Sequence, residues 1–211
     1  AIRLDALVGL AAIAYAQTDY GPAALAGEEA VALARARDDR PNLVIPLNIL
    51  GGVARNRSEL TRAAALGEEC VALTRSMGDC WALALSLHNL ADVIRLQGTY
   101  ERAEALCEES LTLAQSLGDR WGVAQAMLTR GQIARDRGDL AGAAALFEAS
   151  LAIVRALGDT RDIALALTGL GHVARLQGDE DGAGALFEES LALLRPLGDK
   201  IRATDALTGL G

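Results

Sequence analysis

The stretch GDTRDIALALTGLGHVARLQGDEDGAGALFEESLALLRPLGD, residues 158–199, opens and closes on the same dipeptide, and that echo decides the fold. Asp159 and Asp199 lie 40 residues apart, and Asp39, Asp79 and Asp119 stand in the same register. Most of the sequence between them recurs as well. Residues 1–39, 40–79, 80–119, 120–159 and 160–199 align without insertion, and 200–211 begin a sixth copy in which 206–211 repeat 166–171 letter for letter. A fixed period of this size marks a solenoid, in which one supersecondary unit buries its apolar face against its neighbours and leaves an extended surface for partners. Residues 1–211 are therefore expected to form a single array, all-α, of five helix pairs and one trailing helix.

Punctuation inside the quoted unit divides it into two helices. Asp159 is placed to cap a helix running to about Leu176, Gln177-Gly178-Asp179 makes a tight turn, and a second helix runs to about Leu197. Glycine supplies the left-handed residue that ends one helix, and the aspartate after it accepts hydrogen bonds from the free amides that begin the next. The outer turn reads Gly-Asp at 78–79, 118–119, 158–159 and 198–199, and Asp38-Asp39 in the first copy. The inner turn varies more: Thr18-Asp19, Ser58-Glu59, Gly98-Thr99, Gly138-Asp139 and Gly178-Asp179. Pro41 suits an opening turn, whereas Pro46 falls inside the expected first helix of copy two and predicts a lost hydrogen bond and a bend there.

The register also names the packing positions. Ala23, Ala63, Ala103, Ala143 and Ala183 recur in the second helices opposite Ala11, Gly51, Ala91, Gly131 and Gly171 in the first, so paired helices are expected to approach closely. Leu10, Leu50, Leu90 and Leu170, with Ile13, Val53, Val93, Ile133 and Val173, make the apolar stripe of an amphipathic helix. Arg130 interrupts the leucine column, its stem long enough to cover the same surface.

Apolar residues make up 51% of the chain but aromatics only 3%, so the core is built from small helix formers rather than bulky anchors. No apolar run is expected to reach the roughly 18 residues needed to span a bilayer, and the N-terminus lacks the pattern of a secretory leader. Cys70, Cys80 and Cys107 are odd in number and differ in register, which reads as reduced thiols in a cytoplasmic protein. A formal charge of −8 argues against nucleic acid as the direct ligand. The missing initiator methionine and the stop within copy six are read as marks of an excised fragment.

Leu170-Gly171, Gly178-Asp179, Ala183, Phe187 and Ser190-Leu191 fall at the spacing of the tetratricopeptide repeat family, which the chain resembles along its whole length. It departs from the common form in its 40-residue period, in Ala174 where the family has tyrosine, and in Leu-Gly-Asp where it has a closing proline. The longer unit is similar to repeats of bacterial regulators of the MalT and AfsR kind and to those of the animal adaptor LGN. The resemblance implies a right-handed superhelix whose first helices line the concave face. In the bacterial regulators such arrays are sensor arms attached to a nucleotide-binding switch; in the adaptor they clamp extended peptides.

Three positions per first helix, spaced i, i+4, i+7, share one helical face. They read Val8, Ala12, Tyr15; Asn48, Gly52, Arg55; His88, Asp92, Arg95; Leu128, Gln132, Arg135; and Thr168, His172, Arg175. The family resemblance directs them into the groove, where Arg55, Arg95, Arg135 and Arg175 would form a ladder suited to carboxylates, since guanidinium offers two parallel donors. Pairing of the same arginines with the recurring Glu28, Glu68, Glu108, Glu148 and Glu188 is the competing expectation. Trp81 and Trp121 share one position and either stack a ligand or pack between repeats. Arg137-Gly138-Asp139 spells an adhesion tripeptide but sits at an inner turn, Asn56-Arg57-Ser58 fits a glycosylation acceptor only in a secreted chain, and His88 and His172 have no metal-spaced companion. Nothing outlines a phosphate loop, a nucleophile with its base, a cofactor or a metal site.

The function expected is that of a non-catalytic scaffold binding a protein or an extended, acidic peptide, within a larger bacterial signalling or regulatory protein. The alternatives are a small-molecule sensor arm and an architectural or oligomerisation spacer. Membrane and direct nucleic-acid roles are not expected, and the bare ends of the array predict end-to-end or dimeric self-association.

Overall fold

The computed structural model describes residues 2–210, without the side chain of Ile201; Gly211, counted in the partial sixth copy, lies outside the described residues. Among the described residues there are eleven α-helices, one short 3-10 turn and no strand. The chain divides into two compact units, Ala1–Leu113 and Ala114–Gly211. The first holds α1 (Ile2–Ala16), α2 (Tyr20–Ala36), α3 (Val44–Asn56), α4 (Leu60–Met77), α5 (Cys80–Leu96) and most of α6 (Tyr100–Leu117). In it α1 pairs with α2 and α3 with α4, and the first helices α1, α3 and α5 touch in succession. The second unit holds α7 (Arg120–Asp136), α8 (Leu140–Leu157), α9 (Thr160–Leu176), α10 (Glu180–Leu197) and α11 (Lys200–Leu210). Here α7 pairs with α8 and α9 with α10, while α7, α9 and α11 are the successive first helices. The fold is an α-solenoid of consecutive helix pairs, as the period requires.

The turns work as the sequence indicates. At the outer turns, carboxylates of Asp79, Asp119 and Asp159 accept from the amides of Ala82, Gly122 and Asp162 at 3.0, 3.0 and 3.1 Å. Asp139 and Asp179 do the same at inner turns, from Gly142 at 2.9 Å and Gly182 at 3.0 Å. Asp139 of the adhesion-like tripeptide is thus spent on a helix cap, after Gly138 at φ 85°. Thr18 and Ser58 occupy the same left-handed position at φ 61°, and neither Asp19 nor Glu59 makes a side-chain cap bond. Left-handed backbone costs an L-residue roughly 1–2 kcal/mol, so the first two inner turns are the least stabilised.

Pro46 gives a correction. The irregularity is present, but it precedes the proline: Pro41–Leu43 form a 3-10 turn and α3 starts only at Val44. Pro46 thereby becomes the third residue of α3, where its missing N–H would have had no intrahelical partner. The predicted bend is replaced by a restart of the helix.

The small-residue column is buried throughout, Ala23, Ala63, Ala103, Ala143 and Ala183 all being at most 2% exposed. Around it the core interlocks by matching volumes. In the second unit Phe147 on α8 lies between Gly131 of α7 and Gly169 of α9, and a Cβ at either would stand 2.8 or 2.7 Å from the ring. Phe187 on α10 sits likewise against Gly171 of α9 and Gly209 of α11. In the first unit the residues one and two periods earlier than Cys107 in that column are glycines, and the bulk comes from the opposite partner. Leu50 of α3 reaches within 3.1 Å of where Gly27 of α2 would carry a Cβ, and Leu90 of α5 within 2.9 Å of the same place at Gly67 of α4.

That arrangement explains two further departures from expectation. Leu10 and Ile13, assigned to the buried stripe, are 53% and 59% exposed. Leu50 and Leu90 are covered by the second helix of the preceding repeat, and no such helix stands before α1 among the described residues. Second, α8 is long and apolar enough to cross a membrane by length and composition, against the expectation that no run qualifies. Its alanines raise its apolarity, yet Phe147, Ser150, Leu151 and Val154 are buried against α7 and α9 as in any second helix of the array.

Replacement Gly169→Ala is expected to cost about 1–3 kcal/mol by overpacking Phe147, and Phe147→Leu in that background to recover part of the loss. Thermal unfolding of the two variants and their double measures it; a Gly169→Ala protein as stable as the parent removes the interlock as a constraint.

Candidate functional site

The faces of α3 and α5 in the first unit carry the first two polar trios. Asn48 is half-buried, accepting from Asn89 Nδ2 at 3.1 Å through its Oδ1, and its side chain also meets Ser86 Oγ, 3.5 Å from Nδ2, and the Cys70 thiol. Arg55 donates from Nη1 to Asp92 Oδ2 at 2.6 Å, and Arg95 grips the other oxygen of the same carboxylate through Nε at 3.2 Å and Nη2 at 2.9 Å. Burial opposes charge on Asp92, but Arg55 and Arg95 outweigh it and hold the carboxyl below its ordinary range; Asp92 in turn raises Arg55 against the effect of burial. His88, one turn before Asp92, is pushed down to about 4 by burial and by Arg55, with Asp92 opposing.

Within the second unit the sequence-predicted residues divide. Gln132 is half-buried on α7, and Arg135 turns Nε and Nη2 onto Asp136 Oδ1 at 3.1 and 2.8 Å. Thr168 faces its hairpin partner instead of an open surface: 3% exposed, it donates to the Ala164 carbonyl at 2.9 Å and meets Ser190 Oγ at 2.8 Å. Leu128 is buried too. His172 places Nε2 3.2 Å from Asp205 Oδ1 of α11 and its ring edge-on to Phe187, centroids 5.1 Å apart. Arg175 donates from Nη1 to the carbonyls of Thr208 and Gly209 at 3.3 and 3.4 Å. The register gathers these residues on the first helices, while Thr168 and Leu128 turn inward and the guanidiniums are engaged by aspartates and carbonyls.

The competing expectation, pairing with the second-helix glutamates, is corrected. Two of those glutamates take other arginines: Arg62 binds Glu28 at 2.7 Å and Arg102 binds Glu68. Arg35, Arg75 and Arg155 bind Glu69, Glu109 and Glu189 at 2.5, 2.6 and 3.0 Å. Each bridges successive second helices in the open, where such a pair contributes roughly 0.2–1 kcal/mol.

Three features escaped the sequence reading. Asp136 follows Arg135 directly and was the available signal for its partner. Trp121 donates to Asp162 at 2.9 Å beside Gln125, so it packs through a buried carboxylate that burial and Asp159 hold above its ordinary range, whereas Trp81 is 53% exposed. Third, a cavity of about 130 Å³ opens in the first unit between Tyr15, Asn48, Gly52, Arg55 and Asn89, walled by Leu47, Ile49, Ala63 and Val93. Cys70 and Cys107 are buried and Cys80 exposed, none of them in a disulfide, and burial pushes Cys70 up.

The profile of the tetratricopeptide repeat matches residues 82–156 and again 122–196, which together take in more than half of the chain. No curated protein sequence matches it. Among solved structures, BtubC from P. vanneervenii is similar at 23% identity over 91% of this chain and 80% of its own, with a TM-score of 0.67. A Rap protein complexed with Competence and Sporulation Factor is similar at 12% identity, 98% and 63% coverage and TM-score 0.70. A signal-transduction ATPase with a tetratricopeptide repeat sensor from Pyrococcus horikoshii gives 13%, 98%, 35% and 0.68. The chain thus spans less than two thirds of the last two, and likeness at these identities shows the fold alone.

The His88 environment makes a pH prediction. Its folded value of about 4 lies below the 6.5 of an exposed histidine, so the unfolded chain binds the extra proton and stability falls as pH drops from 6.5 towards 4. At 1.36 kcal/mol per unit the loss is about 3 kcal/mol. Asp92 adds its own loss only at lower pH, below 3.8. Urea unfolding of the parent and His88→Gln at pH 7 and pH 4.5 measures the difference; equal acid sensitivity of the two refutes it.

Proposed function

The chain belongs to the tetratricopeptide repeat family, and from that premise we propose that it is a non-catalytic scaffold whose first helices bind a protein or an extended peptide. The observation that carries this reading is the unequal treatment of the two helix types. Second helices spend their charges on exposed glutamate–arginine pairs with one another. First helices instead hold half-buried amides, imidazoles and a guanidinium on one face, Asn48, Arg55, His88 and Asn89 in one unit and Gln132 and His172 in the other. Polar groups kept partly from water need partners, and a bound chain supplies backbone and side-chain groups to them. The partner-bound Rap structure supports the same use of the fold.

The finer reading is a cytoplasmic array within a bacterial signalling or regulatory protein, with an acidic peptide as ligand. A second reading, a small-molecule sensor arm, is supported by the cavity at Arg55 and by likeness to a protein with a repeat sensor of this kind. Leu207 and Leu210, 52% and 43% exposed on α11, together with Leu10 and Ile13 on α1, support self-association. Light scattering across a hundredfold concentration range is expected to show a rise in mass; a constant monomer contradicts it.

Photo-crosslinking tests the binding face itself. A crosslinker placed at Gln132 or His172 is expected to trap the partner at least tenfold more than one at Glu148 or Glu188. Equal or reversed trapping would move the site to the second helices.

A further inference from the structure

We propose that the cavity bounded by Tyr15, Asn48, Gly52, Arg55 and Asn89 is a carboxylate socket, taking a short carboxylate-bearing group with an apolar stem. The proposal rests on the reading of the first helices as the binding face and names what one part of that face holds. Its cause is in the register. Where Gly52 stands, the later first helices carry Asp92, Gln132 and His172. A Cβ at 52 would collide with the Tyr15 hydroxyl, so glycine alone leaves the space open. The resulting cavity of about 130 Å³ has room for a carboxymethyl or carboxyethyl group.

The polar groups on its wall are mostly donors. Arg55 spends Nη1 on Asp92 at 2.6 Å, and its Nε and Nη2 edge takes no acceptor among the described residues. Arg95 and Arg135 differ, because that edge already grips an aspartate in each. The Tyr15 hydroxyl likewise has no hydrogen bond among the described residues, whereas Asn48 already meets Ser86 Oγ at 3.5 Å and the Cys70 thiol. Asn48 Oδ1 is taken by Asn89, which removes one acceptor from the wall. A guanidinium edge and a phenol on one cavity wall match a carboxylate, whose two oxygens accept from parallel donors. The walls of Leu47, Ile49 and Val93 fit the stem. A phosphate dianion fits less well: Arg55 is the one cation lining the space, and Asp92 already holds its other side. The carboxylate has two possible sources, an aspartate or glutamate of an extended partner or a free small acid.

The test is a nuclear magnetic resonance titration of the full chain, read at the Arg55 Nε–H and Asn89 Nδ2–H signals. The probes are N-acetyl-aspartate N-methylamide, propanoate, the asparagine counterpart of the first, and inorganic phosphate. Saturable shifts with the aspartate probe or propanoate, on the order of millimolar affinity for groups this small, are expected. Tighter binding of the blocked aspartate assigns the socket to a peptide side chain, and tighter binding of propanoate assigns it to a free acid. Arg55→Gln is expected to weaken binding at least tenfold and Tyr15→Phe about threefold to tenfold, while Arg155→Gln, on a second helix, leaves it unchanged. If Arg55→Gln fails to fold, Tyr15→Phe decides. No saturation, equal response to the asparagine probe, tighter phosphate binding or an indifferent Tyr15→Phe overturns the proposal. Crosslinking at Gln132 with a silent socket would retain the binding face and remove only the socket.

Discussion

Close approach of neighbouring helices at a glycine opposite a bulky side chain is the constraint on which each unit rests. A helix pair cannot bury its apolar face alone, and the contact that joins it to the next pair must fill space without forcing the backbones apart. Phe147 against Gly131 and Gly169, and Phe187 against Gly171 and Gly209, achieve this with the large residue on the second helix. Leu50 over Gly27 and Leu90 over Gly67 achieve it with the large residue on the first. Conserving summed volume while exchanging which partner supplies it is the tolerance that well-packed cores show. The repeats can therefore diverge in sequence without diverging in spacing.

Constancy of spacing leaves the outward faces free to differ. Because the backbone positions are set by the glycine contacts and the caps, a first helix can carry Gly52, Asp92, Gln132 or His172 at one register position without moving its neighbours. The cavity beside Tyr15 is a product of that freedom, since it exists where the variable position has no side chain at all. A recognition surface of this kind is written by substitution on an unchanging frame, which is how one fold comes to bind unlike partners.

The period, the helix boundaries and the caps were legible in the sequence because each is a local signal repeated several times: Gly-Asp ends one helix and caps the next at outer turns such as 78–79 and at inner turns such as 138–139 alike. The spacing of the trios on the first helices was legible for the same reason. Their interactions were not. Asp92 and Asp136 break the repeat rather than follow it, so an alignment of copies hides the groups that engage Arg55, Arg95 and Arg135. Thr168 lies in the same register as Asn48 and His88, yet Ser190 and the Ala164 carbonyl draw it inward. The Phe147 interlock escaped because its partners come from two different helices and only their volumes correspond. Pro46 escaped because a helix can begin later as readily as it can bend.

The charges on the first helices then determine what kind of partner the face tolerates. Asp92 is shared between two arginines, and its depressed affinity for protons reflects how strongly they hold it. Such sharing orients both guanidiniums while satisfying only part of their hydrogen-bonding capacity, since each carries five N–H donors. An arginine held in this way has lost most of its rotamer freedom before any ligand arrives, so a carboxylate binding to its remaining edge pays little further entropy. The same aspartate repels a second anion placed nearer to it than to the guanidinium. The first unit is therefore organised for acceptors that enter from the Tyr15 side, with Asp92 acting as the fixed support behind Arg55 rather than as a competitor for its free edge.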